Sequence, residues 1–182
     1  MTITLNGTTG ITPPALDSVA PFSSADMPAG SVIQVVHGIL DYPVVFSANT
    51  WTDIGLSATI TPTSTTSKIL VIVHIQVGGD SSSYDAGIAL ARNGTHIGKA
   101  PNSENRNACF MPFNSRSQTP YETASISNSL LDAPASISAL TYKLQGLAYN
   151  STNQFINRCS SDGNNGGDSR HISNITLMEI SG

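Results

Sequence analysis

This chain has few charged side chains, and that shortage argues against several classes of protein. Only 11% of its 182 residues are charged, compared with about 25% in an ordinary soluble domain. It has 3 Lys and 3 Glu, too few to cover the exposed sides of long helices, which argues against a helical bundle, a coiled coil or a helix-rich α/β enzyme. The net charge is −4, so the basic surface of a nucleic-acid-binding protein is missing.

Two further absences concern membranes and export. No apolar run approaches the roughly 18 to 20 residues that cross a bilayer, so we expect no membrane insertion. The opening MTITLNGTTG has neither the basic nor the apolar segment of a secretory signal, which predicts either synthesis in the cytoplasm or an export signal that was removed. The two cysteines, Cys109 and Cys159, are too few for a disulfide framework. In a cytoplasmic product we expect them to stay reduced, although a disulfide between them is left open.

Hydroxyl and amide side chains replace the missing charges. The chain has 25 Ser, 18 Thr and 14 Asn, nearly a third of its length, and they alternate with apolar residues. Between Ile54 and Ile60 every second residue is apolar, the pattern of a strand with one buried face. Lys68–Val77 is apolar on both faces in its first half, which predicts a central strand covered on both sides there. Asn93–Gly94 lies between two apolar runs and predicts a hairpin turn.

About eight to ten short strands separated by turn residues predict an all-β fold. We interpret residues 31–182 as one antiparallel β-sandwich, jelly-roll-like. Residues 1–30 contain four prolines and little periodicity, and are interpreted as an extended N-terminal arm with a possible hairpin at Asn6–Gly7. We expect this arm to attach the domain to a partner through its apolar residues Ile3, Leu5, Ile11, Leu16 and Phe22.

The sequence offers little sign of catalysis, metal binding or a cofactor. His37 and His74 would share a face if their strands pair, but no histidines have the spacing of metal ligands. A metal site on a subunit symmetry axis is the alternative left open. The segment Asp162–Asp168 resembles a calcium loop only superficially, and is interpreted as a hairpin tip. A polysaccharide-cleaving enzyme would need paired carboxylates, and none of the acidic residues has a recognisable setting for that role.

Three loops are candidates for facing a receptor, because long irregular loops of a rigid scaffold often bind ligands. They are residues 79–85, 101–120 and 160–168. Exposed aromatic rings beside Asn and Asp can stack on sugars, whereas packing inside the sandwich or at a subunit seam is the alternative. The candidate residues in these loops are Tyr84, Asp85, Phe110, Phe113, Arg116, Asn164 and Asn165.

Several segments resemble the fibre and appendage proteins of tailed bacteriophages, especially marine and freshwater phages. The opening MTITLNGTTGIT is similar to the start of many such proteins, and Met27–Val36 resembles the entry to their C-terminal β-domain. The most typical stretch is Trp51–Val73, and Leu131–Gln145 and Ile175–Ile180 complete the likeness. The resemblance covers residues 1–12 and 27–182, and its motifs are structural, without catalytic residues.

The resemblance implies a non-enzymatic protein on the virion surface, with the chain itself as its partner in a homotrimer. Other tail or capsid proteins, and a host-surface glycan or protein, are the further partners implied. Such fibres usually carry a long shaft, whereas here about 15 residues, Pro13–Met27, separate the opening from the domain, and they extend about 50 Å at most. We therefore expect a short tail fibre or fibre tip, or alternatively a capsid decoration protein.

Overall fold

The computed structural model describes residues 5–6, 10–11, 27–79, 86–101, 108–113, 119–149 and 152–182. This part of the chain contains thirteen β-strands and no α-helix. It has no helix long and apolar enough to cross a membrane. The strands form antiparallel sheets, so the prediction of an all-β, antiparallel sandwich is confirmed.

The strands are short and follow one another closely along the chain. The first two, β1 (Leu5–Asn6) and β2 (Gly10–Ile11), pair with each other as a small hairpin. The remaining strands are β3 (Val32–Leu40), β4 (Val44–Phe46), β5 (Thr52–Ile60), β6 (Lys68–Gly78), β7 (Ala86–Arg92), β8 (Thr95–Ile97), β9 (Met111–Phe113), β10 (Thr123–Asp132), β11 (Leu140–Ala148), β12 (Gln154–Ile156) and β13 (Ser173–Ile180).

Strand β6 is the centre of a six-stranded sheet, as its apolar sequence predicts. On one edge it pairs with β10 along the whole of that strand. On the other edge it pairs with β13, and then with β12 near its end. Strand β3 lies outside β13, and β4 lies outside β12. The four longest strands of this sheet therefore lie side by side in the order β10, β6, β13, β3.

Strand β11 is the centre of a five-stranded sheet. It pairs with β5 on one edge and with β7 on the other, and the far edge of β7 pairs with β8 and β9. The turn between β7 and β8 consists of Asn93 and Gly94, with φ angles of 48° and 85°. Both residue types tolerate this left-handed conformation, which is why the Asn-Gly dipeptide predicted the hairpin.

The two sheets bury their inner faces against each other. Ile54 and Leu56 of β5, Val71 of β6 and Tyr142 of β11 are at most 1% exposed, and this apolar burial is the main term that stabilises the fold. Along one side the sheets approach so closely that a side chain at Gly38 of β3 would collide with the carbonyl oxygen of a residue in β5. Glycine at that position lets the sandwich close.

Two short strands were not predicted. Strands β9 and β12 have three residues each, and a run of that length carries no recognisable period of two. Strand β9 lies inside the stretch 100–121 that the sequence presents as irregular. The prediction of a possible hairpin around Asn6–Gly7 agrees with the pairing of β1 and β2, in which Leu5 lies opposite Ile11.

Candidate functional site

The outer face of the six-stranded sheet carries a row of apolar side chains. Val35 of β3 lies opposite Met178 of β13, Met178 lies opposite Leu70 of β6, and Leu70 lies opposite Leu131 of β10. We call these four residues the apolar row. Val35 is 56% exposed and Leu131 is 52% exposed. Exposed apolar groups that form one continuous patch typically mark a surface that binds another molecule.

Further apolar side chains extend the apolar row in both directions along the strands. Val32 and Ile180 pair with each other on one side of it, and Val32 is 49% exposed. On the other side Ile72 is 37% exposed, and Ile39 is 56% exposed. The prediction that β6 is covered on both faces in its first half is therefore wrong for the described residues, because its outward side chains reach solvent.

Polar groups beside the apolar row bond to one another. His37 Nδ1 lies 2.9 Å from the hydroxyl oxygen of Thr176, its cross-strand neighbour. Further along β6, the Gln76 amide donates to Ser125 Oγ at 2.6 Å and lies 3.0 Å from His74 Nε2. Groups that are already hydrogen-bonded lose less on being covered than unpaired ones.

The outer face of the five-stranded sheet has different chemistry. Thr59 and Thr141 lie opposite each other with their hydroxyl oxygens 2.9 Å apart. In the neighbouring pair, Ser57 lies opposite Lys143, and the Lys143 ammonium donates to the carboxylate of Asp53 at 2.5 Å. We call this surface the hydroxyl face. Its alternation of inward apolar and outward polar residues is typical of a sheet that faces water on one side.

An open depression of about 630 Å³ lies at the end of the six-stranded sheet away from the apolar row. It is lined by Asp41, His74, Gln76, Arg170, His171, Ile172 and Asn174. The lining offers both hydrogen-bond donors and acceptors, because it contains a carboxylate, amides, imidazoles and a guanidinium beside one apolar side chain. Its volume lies within the range of small-molecule sites, and its chemistry fits a small polar ligand.

A buried asparagine, Asn157, connects the strand ends that surround the depression. The Asn157 amide nitrogen donates to the carbonyl oxygens of Leu40 and Tyr42 at 2.8 and 3.2 Å. Its amide oxygen accepts a hydrogen bond of 2.6 Å from the Ser173 hydroxyl, and its backbone bonds to Gln76 and His171. Asn157 is fully buried with a φ of 61°, so it fixes the strand ends that carry the lining residues.

The segment from Arg158 to Arg170 is a stapled loop. The Asp162 carboxylate bonds to the Arg170 guanidinium and lies 2.8 Å from Arg158 Nη1, and the bond to Arg170 is the main reason that its pKa is lowered. The Asp168 carboxylate accepts a 3.0 Å bond from the Asn165 backbone. Both carboxylates are engaged within the loop, in agreement with a hairpin tip. Among the described residues no group of His, Cys, Asp or Glu could hold a metal ion.

The residues predicted to face a receptor have different surroundings. Asn164 and Asn165 are exposed on the stapled loop. Phe110 is 5% exposed and belongs to the hydrophobic core, so the prediction that it faces a receptor is wrong, because its ring packs between the sheets. The backbone of Phe113 lies at the end of β9. Tyr84, Asp85 and Arg116 lie outside the described residues.

The predicted attachment arm is described only in part. Leu5 and Ile11 are backbone partners in the β1–β2 hairpin, whereas Ile3, Leu16 and Phe22 lie outside the described residues. The described chain resumes at Met27, and the backbone of Gly30 donates to the carbonyl of Ser181 at 2.8 Å. The arm therefore joins the sandwich beside the C-terminal end of β13, the end at which the apolar row lies.

Other residues considered for chemistry have structural partners. The Asp132 carboxylate accepts hydrogen bonds from Tyr142 and Arg92, and Glu122 accepts one from the backbone of Thr119.

His37 and His74 both lie on the outer face of the six-stranded sheet, as expected if their strands belong together, but β13 separates them. The thiols of Cys109 and Cys159 are free, and burial raises the pKa of Cys109.

The sequence contains the signal for the apolar row, although the row was not predicted. Strand β6 is apolar on both faces, and the same holds for the first half of β3. In β6 that pattern predicts a strand covered on both faces, not an exposed apolar surface. The register that places Val35, Met178, Leu70 and Leu131 in one line depends on pairings between strands far apart in sequence, and such pairings cannot be read from a single sequence.

Comparisons with known proteins show no family for this chain. No family model matches the chain, and no curated protein matches its sequence. Among solved structures, the dimeric latent PorU from Porphyromonas gingivalis is similar with a TM-score of 0.34 and 9% sequence identity. The match covers 85% of this chain and 14% of that chain. A likeness this weak carries no argument about fold or function.

Proposed function

We propose that this chain is a non-enzymatic structural protein on the virion surface of a tailed phage. In this proposal it forms a homotrimeric short tail fibre or fibre tip, attached through its N-terminal arm and able to bind a host receptor. The sequence resemblance over residues 1–12 and 27–182 supports this assignment. A rigid all-β domain with few charges is suited to a surface that must persist outside the cell.

The observation that carries the proposal is the contrast between the two outer faces. A monomer that works alone in water has no need for an apolar row across four strands, whereas a subunit of an assembly does. The hydroxyl face then remains in contact with solvent. The arm enters the domain at the end of the sheet where the apolar row lies, so in this proposal attachment and assembly share one end.

The setting of the acidic residues favours a structural role over polysaccharide cleavage. Glycoside hydrolysis needs two carboxyl groups about 5 to 9 Å apart in one groove. Asp53 and Asp132 are engaged by Lys143 and by Arg92. Asp41 lines the depression among histidines and amides, and it is the single carboxylate among the described lining residues. The enzyme alternative predicts that Asp41→Asn abolishes glycan cleavage.

The depression favours a receptor-binding tip over a capsid decoration protein. It is open and polar, and its nearest lining residue on β6, His74, lies four residues beyond Leu70 of the apolar row, so a ligand could reach it while the row is covered. The decoration alternative needs no such site. It predicts saturable binding to the capsid lattice and more stable particles, because a ligand that binds only the assembled shell stabilises it.

Immunogold labelling of intact particles tests the proposal. Antibodies raised against the purified chain are applied to virions, and gold is counted separately on heads and tails. We expect gold at the tail tip, and gold over the whole head would favour the decoration alternative. Antibody preabsorbed with the purified chain serves as the control. Particles without gold, while the same antibody detects the chain in infected cells, would contradict a virion role.

A further inference from the structure

We infer that the outer face of the six-stranded sheet docks a second copy of this chain, with the apolar row at the centre of the interface. The face is covered by no other described part of the chain, and its side chains reach solvent at Val35, Ile72 and Leu131. The stoichiometry of three copies rests on the proposed function. The location of the interface rests on the structure alone.

The charge of the face favours an identical copy. The apolar row has no ionisable side chain, and the next row consists of His37, Thr176, Ile72 and Ser129. Because neither of these two rows contains Asp, Glu, Lys or Arg, two copies can bring them together without like-charge repulsion. Lys68 is exposed at the edge of the face, beside Ile180. A partner selected by charge would need complementary groups at the centre, where this face has none.

The size of the face also favours a sheet as the occupant. Four strands about 4.8 Å apart and three rows about 6.8 Å apart cover about 20 Å in each direction, roughly 400 Å². One extended segment, such as the arm, is about one strand wide and would cover roughly a quarter of that width. A second copy offers a face of equal size, and two sheets pack well face to face.

The arrangement of rows restricts the symmetry axis. The face is apolar at the end that holds the apolar row and polar at the end that holds the depression. Every row meets its equal only when the axis runs along the strands, as in a cyclic dimer or trimer. An axis across the strands would pair the apolar row with itself but would set the row of Ile72 against the row of Ile180 and Lys68, so we place the axis along the strands. In the dimer and in the trimer alike, the β3 edge of one copy meets the β10 edge of its neighbour. Val35 of one copy then lies beside Leu131 of the next.

The depression lies on the same outer face, at the end of the sheet away from the apolar row. Its nearest lining residue on β6, His74, is four residues from Leu70, about 13 Å along the strand, and Gln76 is six residues away, about 20 Å. The interface therefore ends at the row that contains Ile72, next to the depression. The area involved is small for a protein interface, so we expect association of the isolated chain in the micromolar range.

Paired charge substitutions test the interface. The full chain and its variants are examined by sedimentation equilibrium from about 1 to 200 µM, a range chosen to bracket micromolar association. We expect the unmodified chain to associate. Val35→Glu alone, or Leu131→Lys alone, should weaken association by about 100-fold, because each buries an unpaired charge. Thr59→Glu, the matched control on the hydroxyl face, should leave association unchanged.

The double variant Val35→Glu/Leu131→Lys distinguishes the interface from a folding defect. The two introduced side chains are about 14 Å apart within one copy, three strand spacings, so they cannot pair there. Between neighbouring copies they meet, and we expect the double variant to recover most of the lost association. Circular dichroism confirms that each variant is folded.

Each outcome bears on the inference. A chain that stays monomeric up to about 200 µM, far above micromolar affinity, overturns it and leaves open a foreign partner or the arm as occupant. Association that Val35→Glu and Thr59→Glu weaken equally also overturns it. A dimer through this face supports the inference and contradicts the proposed trimer. If the purified chain stays monomeric while gold labels the tail tips of virions, the docking inference is overturned and the proposed virion role is supported.

Discussion

On the five-stranded sheet the outward residues of β5 and β11 include Ser57, Thr59 and Thr141, whereas on the six-stranded sheet the outward residues of β3 and β6 include Val35 and Ile72. Both sheets bury a largely apolar inner face, in which Ser173 and Glu179 of β13 are polar exceptions. Hydroxyl groups lose little by meeting water, while each exposed apolar side chain forgoes roughly 25 cal/mol for every Å² left uncovered. The hydroxyl face therefore loses little in water, whereas covering the apolar row would be favourable.

The comparison teaches that the buried core and the working surface follow separate rules. The core needs inward positions that are apolar or, like Glu179, hydrogen-bonded to other parts of the chain. The outward positions are free to vary, so they record what each face meets outside the monomer. Substitutions that affect one sheet and spare the other can measure how far the two sides differ.

The largest effect is expected from two asparagines with similar backbone conformations. Asn157→Ala on the six-stranded side removes the amide bonds to Leu40, Tyr42 and Ser173, and leaves buried groups unpaired. We expect a loss of about 3 kcal/mol in the free energy of unfolding. Asn93→Ala on the five-stranded side removes one exposed bond to the Thr141 backbone, and should cost about 1 kcal/mol.

Urea denaturation of both variants measures this difference. Asn157 and Asn93 both have positive φ angles, so the backbone strain of alanine is similar in the two and largely cancels in the comparison. Equal losses would mean that the network below the depression contributes no more than one exposed turn.

A smaller effect is expected from the buried carboxylate of Glu179. It accepts hydrogen bonds from the Gln34 amide at 2.6 Å and from the Thr63 backbone and hydroxyl at 2.7 and 2.8 Å. Burial alone would raise its pKa, but the hydrogen bonds outweigh burial, and the pKa lies below its ordinary value of 4.5. Glu179→Gln should cost about 2 kcal/mol at pH 7, since an amide cannot accept all of these bonds.

The lowered pKa also predicts how the stability lost in Glu179→Gln changes with pH. A carboxyl group whose pKa is lower in the folded than in the unfolded chain stabilises the fold above the unfolded value of about 4.5, and that contribution is lost as the pH falls. The difference between the wild type and Glu179→Gln should therefore shrink below about pH 4.5. Thermal unfolding measured at pH 7 and at pH 3 to 4 checks it. A difference independent of pH would contradict the role of the ionised carboxylate.

A smaller loss of stability is expected when a hydrogen bond between the two sheets is removed. The Tyr142 hydroxyl donates to the Asp132 carboxylate at 2.7 Å, which joins β11 to β10. Burial, followed by this bond, raises the pKa of Tyr142. Tyr142→Phe should cost about 1 to 1.5 kcal/mol, because Arg92 remains bound to Asp132. Tyr121→Phe, at a tyrosine 55% exposed, is the control and should change the stability little.

Much of this architecture can be predicted from the sequence because it depends on local signals. The alternation between Ile54 and Ile60 predicts β5, and Asn93–Gly94 predicts the β7–β8 turn. The apolar strand β6 is central as expected. Those signals involve neighbouring residues, whose side-chain period and turn conformation are fixed by the backbone.

The candidate site could not be predicted because it depends on long-range register. The apolar row combines residues 35, 70, 131 and 178, which are brought into one line by three separate strand pairings. The depression depends on Asn157, whose neighbour strand β12 is too short to show a period. The prediction that Phe110 faces a receptor is wrong because a polar, proline-containing stretch indicates a loop but does not indicate which of its aromatic rings is buried.

The smallest effect is expected on the hydroxyl face. The Asp53–Lys143 pair is solvent-exposed, with side chains 47% and 30% accessible, and exposed pairs contribute about 0.5 kcal/mol or less. Asp53→Asn should therefore change the melting temperature by only a degree or two in low salt, and the difference should vanish in about 1 M NaCl. Val35→Glu on the opposite face should weaken association for a different reason, the burial of an unpaired charge, which does not depend on salt in the same way. A loss above about 2 kcal/mol for Asp53→Asn would show that the hydroxyl face is also covered, and the contrast between the faces would then lose its meaning.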